Sequence, residues 1–393
     1  MKKVGNWFAL TWRPVALFTG VSLFFLALLW FRLDSLVPGF SDNELSARAS
    51  SGTTKILIAN PLELPHKLLQ FVPQYFKHFG PLAMRSASTI IGLFGIICFY
   101  VVLRGWYTKR IALLGTLLFA TSSWFLHFAR LGTADVSYIL FFGVVACTIW
   151  LQKERLTWVG AAASMALVVA LLYMPGMVWF VVPALFWQIA RIARMLSKQN
   201  PAYLTLLAFI GTALMIPLGW ALYKDPTLIR TYFGLPQMFP APLDILNNIA
   251  HVPSQIFLQG PKNPEIWLGR LALLDWFAST MFVLGAYAFW RRRKLDRTWI
   301  FIYVFVVGSI FVGLQGPVSI TLLLPFVYVF VAAGVALMLQ QWFTVFPVNP
   351  FARWAGASLL ILAVVLTSFY NVSHYFVAWP NAPETKQVFH NKP

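Results

Sequence analysis

An all-α integral membrane bundle is the fold class this sequence predicts, and three observations predict it. Apolar residues make up 59% of the 393 positions and charged residues only 11%, whereas a soluble domain is about half apolar and a quarter charged. Apolar runs of about 18–22 residues, each long enough to cross roughly 30 Å of hydrocarbon, recur along the whole chain. The charge is also sorted by side. With the N-terminus in the cytoplasm, the inner loops hold 17 of the 30 Lys and Arg and only two acids, Glu154 and Asp296. The outer segments hold 13 basic residues and ten acids, so the two sides carry +15 and +3 of the net +18. Clusters such as "RRRKLDR" (Arg291 to Arg297) fall inside, as the positive-inside rule requires. The basicity therefore reflects topology; its partner is anionic lipid, and nucleic acid is not required.

About eleven transmembrane helices follow in order, over 14–33, 81–103, 111–128, 134–151, 156–173, 176–193, 201–222, 270–290, 298–315, 318–340 and 354–374. Turn signals at Met174–Pro175 and Gly316–Pro317 divide neighbouring runs. The first run is too long for a signal-peptide core and lacks a small-residue cleavage site, so it is read as a span. Cys98 and Cys147 both fall inside spans and read as small packing residues. An odd number of spans brings the C-terminal tail out on the extracytoplasmic side. Two outer segments, 34–80 and 223–269, exceed the roughly 15 residues beyond which a loop is usually functional or disordered. In the first, "LPHKLLQFVPQYFKHFG" (Leu64 to Gly80) mixes apolar residues with Lys67, Lys77 and His78, which predicts an interfacial helix. No repeat, heptad series or low-complexity tract appears. The expected organisation is one integral-membrane domain over 1–376, its active face formed by the two outer segments, and a short extracytoplasmic tail over 377–393.

Ten of the twelve acids lie on the outer side, which makes that face the place for chemistry. Asp42 and Glu44 follow the first span. They read either as a helix start, with Ser41 or Asp42 as N-cap and Glu44 at the positive end of the dipole, or as a general base held at the membrane surface. Arg130 and Asp135 flank the outer turn between the third and fourth spans. Either they form a salt bridge pinning a hairpin, or Asp135 faces a polar cavity beside Asp42. In "NPLELPHK" (Asn60 to Lys67), Glu63, His66 and Lys67 lie close together, as a solvated loop or as a weak site for a divalent ion. That divalent ion is the one cofactor the residues suggest. Arg85 opens the second span, where it either snorkels to the interface or meets a lipid phosphate. Arg230 is open to the same two readings, as are Arg48, Lys77, Lys262 and Arg270. A phosphate-cradling Gly loop, a zinc-protease pair and a Gly-centred serine nucleophile are all missing from the sequence.

The order of these features resembles the GT-C membrane glycosyltransferases, in the family 39-like group of protein O-mannosyltransferases and the lipid A aminoarabinose transferase. That group carries an Asp-Glu motif, with Ala four residues later, after the first span. Here it reads "DNELSA", with Asp42 and Ala47 at the matching positions, Asn43 in place of the Glu and Ser46 in place of a common Tyr. Phe76 to Phe142 resembles the family's entry to the second span, its basic inner turn and the "R…D" turn that opens the fourth, matched by Arg85, Arg130 and Asp135. Glu63 ahead of Pro65 resembles the acid-before-proline element of the first outer loop. "SITLLLPF" (Ser319 to Phe326) keeps a late Leu-Leu-Pro and lacks the Arg that often precedes it.

The resemblance implies a sugar donor carried on a polyprenyl phosphate and a protein, lipid or glycan acceptor. It implies an inverting displacement at the extracytoplasmic face with Asp42 as base, helped by Asp135 and Glu44. Arg85, Arg130, Lys67 and Arg230 would meet the phosphate, with Glu63 and His66 in the substrate site. Two other classes compete: a lipid or sugar transporter or flippase, and an inactive homologue that binds lipid-linked sugar. Transporters place ionisable groups near the bilayer midplane. Here the midspans are nearly free of charge, with Asp275 in the eighth span as the exception.

Overall fold

A computed structural model describes residues 19–37, 39–76, 80–152, 157–197, 200–261 and 263–390. Lys77, His78, Glu154 and Lys262 lie outside these residues. Among the described residues the chain is helical throughout, with no strands. The first span contributes α1 (Thr19–Trp30). The outer segment behind it folds into α2 (Asp42–Ser50), α3 (Thr54–Ala59) and α4 (Leu64–Tyr75). The bundle continues with α5 (Pro81–Trp106), α6 (Lys109–Thr121), α7 (Ser123–Arg130), α8 (Leu140–Gln152), α9 (Thr157–Leu172), α10 (Val178–Trp187), α11 (Ile189–Leu196) and α12 (Pro201–Lys224). The second outer segment forms α13 (Thr227–Tyr232) and α14 (Pro242–Phe257). Then come α15 (Trp276–Arg291), α16 (Asp296–Gly313), α17 (Leu324–Val345), α18 (Pro350–Ser373), α19 (Trp379–Asn381) and α20 (Pro383–Val388).

Each of the eleven apolar runs carries a helix, but they are not equally able to cross a bilayer. Five helical segments among the described residues are long and apolar enough, and six when α6 and α7 count as one bent span. Length alone therefore does not establish eleven crossings. The bend between α6 and α7 is 62°, and Ser122 makes it. Its backbone leaves helical geometry at ψ 138°, its hydroxyl accepts from Phe125 N and donates to Phe119 O. A polar side chain thus satisfies the backbone groups that the break exposes, as membrane depth demands. The expected third span over 111–128 is consequently two helices, and α7 is buried along its whole length.

Close helix approach fixes the centre. In α17, every residue from Leu324 to Val335 is buried, and α15 packs along it. A Cβ on Gly285 would overlap the Phe330 carbonyl oxygen, and one on Gly334 would overlap that of Met281. Small residues let two backbones meet, and dispersion between them substitutes for the missing hydrophobic drive. Around this contact Phe282, Phe289, Phe301 and Phe326 crowd Phe330 and one another. The outermost helix, α12, shows Phe209, Ile216 and Trp220 on its surface, as a lipid-facing helix does.

The C-terminal end is helical beyond the last apolar run. The last helical span runs on through a π-helical turn, Pro350–Asn381, so the boundary expected at 376 falls inside it. Trp379 and Phe389 are buried and pack edge to face. Asp275 is also placed differently from a midspan acid. It is the N-cap of α15, accepting from Ala278 N at 2.9 Å and from Asn371 Nδ2 at 2.9 Å.

Adding one methyl group at the α15–α17 crossing forces backbone apart. Gly334→Ala or Gly285→Ala is expected to destabilise by about 1–3 kcal/mol or more, read as a fall in thermal unfolding temperature of the detergent-purified protein. Unchanged melting would contradict this close approach.

Candidate functional site

The outer acids divide into two groups with different surroundings. Glu44 is 1% exposed and Arg85 2% exposed, and they form a forked pair: Arg85 Nε to Glu44 Oε1 at 2.8 Å and Arg85 Nη2 to Oε2 at 2.9 Å. Oε1 also accepts from Gly132 N at 2.8 Å, and Oε2 from Ser41 N at 3.2 Å. The Ser41 hydroxyl accepts from Glu44 N, completing a capping box at the start of α2. Arg85 also donates to Leu33 O and Gly39 O, in the chain between the first span and α2. Arg130 acts alongside, donating to Leu28 O at 2.9 Å and Phe31 O at 2.7 Å. Its guanidinium lies 4.6 Å from the Phe376 ring centre. Both arginines thus close carbonyls that a helix end leaves without partners.

Asp42 is exposed on the first turn of α2, one side of a helix whose other side is buried by Glu44. Beside it stands Glu265, which sequence reading did not single out. The Glu265 carboxylate accepts from Asn43 N at 2.9 Å. Burial first, and then the charges of Asp42 and Glu44, hold its carboxyl above the usual range, against the hydrogen bonds it accepts. Its carbonyl bonds the buried His127 ring at 3.0 Å, and His127 packs edge to face on Trp379. The signal for Glu265 was one outer acid in "NPEIW", 222 residues from its partner, with no spacing to connect them.

The second group is formed by Asp135 and Glu63. Asp135 accepts from Thr133 Oγ1 at 2.9 Å and from Ser319 Oγ at 2.7 Å, so the salt bridge considered between Arg130 and Asp135 gives way to different partners for each. Glu63 is half-buried and has a left-handed backbone, φ 62°, a conformation that non-glycine residues adopt rarely and at a cost. Its N–H is held by Tyr173 O at 2.8 Å, while His66 N and Lys67 N both donate to its carbonyl. Burial raises the Glu63 carboxyl above its ordinary range, the Lys67 charge opposes this, and the Asp135 charge adds to it. Burial lowers the Lys67 ammonium, with Glu63 opposing. Lys67 donates to Asn60 O at 3.1 Å.

One strand of chain links the groups. Gly132 is held by Glu44 through its N–H and by Gln70 Nε2 through its carbonyl at 2.8 Å. The Thr133 carbonyl accepts from Ser88 Oγ, and Ser88 pairs with His66 Nε2 at 2.8 Å. Segment 131–135 is therefore clamped from α2, α4 and α5, with Asp135 at its end. Arg230 stands apart as an exposed residue of α13, bonded to Gln237 O. Its helix reaches the same neighbourhood because Leu228 and Tyr232 pack with Leu62 and Leu64, on either side of Glu63. For a divalent ion, Glu63 and His66 offer two donors. Among the described residues no three His, Cys, Asp or Glu come together as a metal cluster.

No family model matches the chain, and no curated protein matches it by sequence. Solved structures do match. ArnT from Cupriavidus metallidurans bound to undecaprenyl phosphate aligns with a TM-score of 0.53 at 13% identity, over 97% of this chain and 77% of that one. Its apo state gives 0.50 at 14% identity with the same coverage. The archaeal oligosaccharyltransferase AglB from Archaeoglobus fulgidus, in complex with an inhibitory peptide and a dolichol-phosphate, gives 0.52 at 14% identity, over 94% of this chain and 56% of that one. The chain has the GT-C fold. At these identities the likeness is one of fold.

Two outcomes test the site's physics. Glu44→Gln or Arg85→Met alone leaves a buried charge without its partner and is expected to cost about 3–5 kcal/mol. The double variant should recover part of that loss in a thermal-unfolding cycle, and additive single losses would refute the coupling. Separately, burial first, and then the Lys67 charge, lower the His66 imidazole to about 3. The unfolded chain takes up this proton near pH 6.5 and the folded chain does not until about pH 3. Stability should therefore fall with acidification inside that window, by up to about 1.4 kcal/mol per pH unit. His66→Gln should flatten the dependence of the melting temperature between pH 6.5 and 5. A variant as pH-sensitive as the parent would exclude His66 as the source.

Proposed function

We propose that this chain transfers a sugar from a polyprenyl-phosphate carrier to an acceptor hydroxyl at the extracytoplasmic face of the membrane, with inversion and with Asp42 as general base. The observation that carries this reading is the pairing of exposure and anchorage in α2. Its Glu44 is locked by Arg85 and Gly132, while Asp42, two residues earlier, is turned to the exposed side. The ArnT and AglB structures that share the fold were solved with undecaprenyl phosphate and dolichol-phosphate, which supports a lipid-linked donor. In this reading the N-terminus is cytoplasmic, and the outer segments 34–80 and 223–269 form the active face of a domain reaching to about residue 376.

A donor whose isoprenoid tail stays in the bilayer keeps its anomeric carbon near the interface, so the base must be held there too. The Asp42 carboxylate takes the proton of the acceptor hydroxyl as that oxygen attacks the anomeric carbon from the face opposite the phosphate. The carbon–oxygen bond to phosphate breaks, the electron pair leaves with polyprenyl phosphate, and one displacement inverts the centre, by the stereochemical logic of inverting glycosidases. The leaving phosphate is already a stable anion and needs cations rather than an acid. Arg85 gives four hydrogen bonds to two backbone carbonyls and Glu44, and Arg130 gives one from each Nη to a carbonyl, so in this reading they and Glu44 are positioning residues. Lys67 and Arg230 are the phosphate partners, and Asp135, Glu63 and His66 line the sugar-binding side.

In membranes given radiolabelled polyprenyl-phosphate sugars, Asp42→Asn should lower sugar transfer by about 10²–10⁴-fold, the span of general-base catalysis. Protein abundance and donor retention should persist. Undiminished transfer would remove Asp42 as the base. Translocation of the lipid-linked sugar by the parent protein without product would replace the transferase reading by transport.

A further inference from the structure

A second cavity lies at the other end of the bundle, away from Asp42, Glu63 and Asp135. A cavity of about 1270 Å³ opens between the end of α5, the start of α6, the end of α15 and the start of α16, with α17 and α18 behind it. Arg104, Lys109, Arg110, Arg291, Arg292 and Arg297 all line it, and its described lining holds no carboxylate. Thr108 gives the start of α6 no side-chain cap, so the partial positive charge of that helix end adds to the six cations.

Next to it lies an apolar cleft of about 400 Å³ walled by α5, α8, α10, α16 and α17, with Phe141, Phe142, Leu185 and Phe326 among its lining. Trp106 and Arg297 line both spaces. The Arg297 guanidinium stands 5.3 Å from the Trp106 ring centre and 5.9 Å from that of Phe289, cation–π geometry that holds the charge at the junction. A cationic chamber and an apolar cleft that share Trp106 and Arg297 as lining match a ligand with an anionic head and a hydrocarbon chain. A free anion leaves the cleft unused, and a zwitterionic headgroup adds a cation to six others.

We infer that this cavity and cleft form a binding site for a single anionic phospholipid, its phosphate among Arg291, Arg292 and Lys109 and an acyl chain in the cleft past Trp106. The site is independent of sugar transfer, and its failure leaves that reading untouched.

The test is native mass spectrometry of the full chain in mild detergent, titrated with phosphatidylglycerol, with phosphatidylcholine of the same acyl chains, and with inorganic phosphate. One phosphatidylglycerol is expected to bind at least tenfold more tightly than phosphatidylcholine. Removing charge with Lys109→Gln, Arg291→Gln and Arg292→Gln together should weaken it at least tenfold. Ala184→Trp, which fills the cleft, should weaken it without changing competition by inorganic phosphate. Arg194→Gln, an exposed cation of α11 outside the cavity, should change nothing. Where the triple variant fails to fold, Arg292→Gln alone should reduce the rise in melting temperature caused by phosphatidylglycerol. Equal binding of the two lipids would overturn the site. So would an Arg194→Gln loss as large as that of the cavity variants, or a phosphatidylglycerol affinity untouched by Ala184→Trp.

Discussion

One buried ion pair organises the outer half of this molecule. Glu44 and Arg85 are both withdrawn from solvent, and taking two charges out of water is worthwhile only when geometry is good and the remaining donors and acceptors are filled. Here they are filled. The carboxylate receives two guanidinium and two backbone hydrogen bonds, and the guanidinium also serves two carbonyls. The pair therefore ties four pieces of chain to one point: the end of the first span, the start of α2, the second span, and the turn before Asp135. Breaking either partner strands the other charge, so the four pieces hold or loosen together.

That coupling explains why two carboxylates stand at the mouth of the first span. They are two residues apart on a helix, so they face different ways, and each takes what its side offers. Glu44 turns inward and becomes structure. Asp42 stays outward on a helix start that is tied down twice, because the capping box and the ion pair share the same glutamate. Pre-organisation of this kind lowers the reorganisation that a proton transfer would otherwise require. In the proposed reading, helix capping and base catalysis, which look like rival readings of one stretch, become complementary roles of neighbouring residues.

How much of this was legible depends on how far each signal extends along the chain. Hydropathy integrates over about 20 residues, so all eleven apolar runs were readable and each carries a helix. The break at Ser122 was not, because one serine in an apolar run hardly changes the average, although its hydroxyl decides the local hydrogen bonding. Proximity in sequence misled at Arg130 and Asp135, which are five residues apart and serve different partners. The helical placement of the first outer segment was readable from its mixed apolar and basic pattern. The Glu44–Arg85 pairing, 41 residues apart, and the Asn43–Glu265 contact, 222 apart, are products of the tertiary fold that no local pattern encodes. Asp275 shows the same limit at an element boundary, where a shift of a few residues turns a midspan charge into a helix cap.

The two ends of the bundle handle charge in opposite ways, and this asymmetry is functionally useful. On the acid-bearing side, cations are consumed by structure: Arg85 and Arg130 are turned onto carbonyls, and Lys67 is buried with its ammonium pushed below its usual range. At the other end six cations line one open cavity with no carboxylate among its described lining, which suits a surface facing anionic lipid. The same residue types thus stand in opposite settings, closed onto carbonyls and a carboxylate at one end and lining an open cavity at the other.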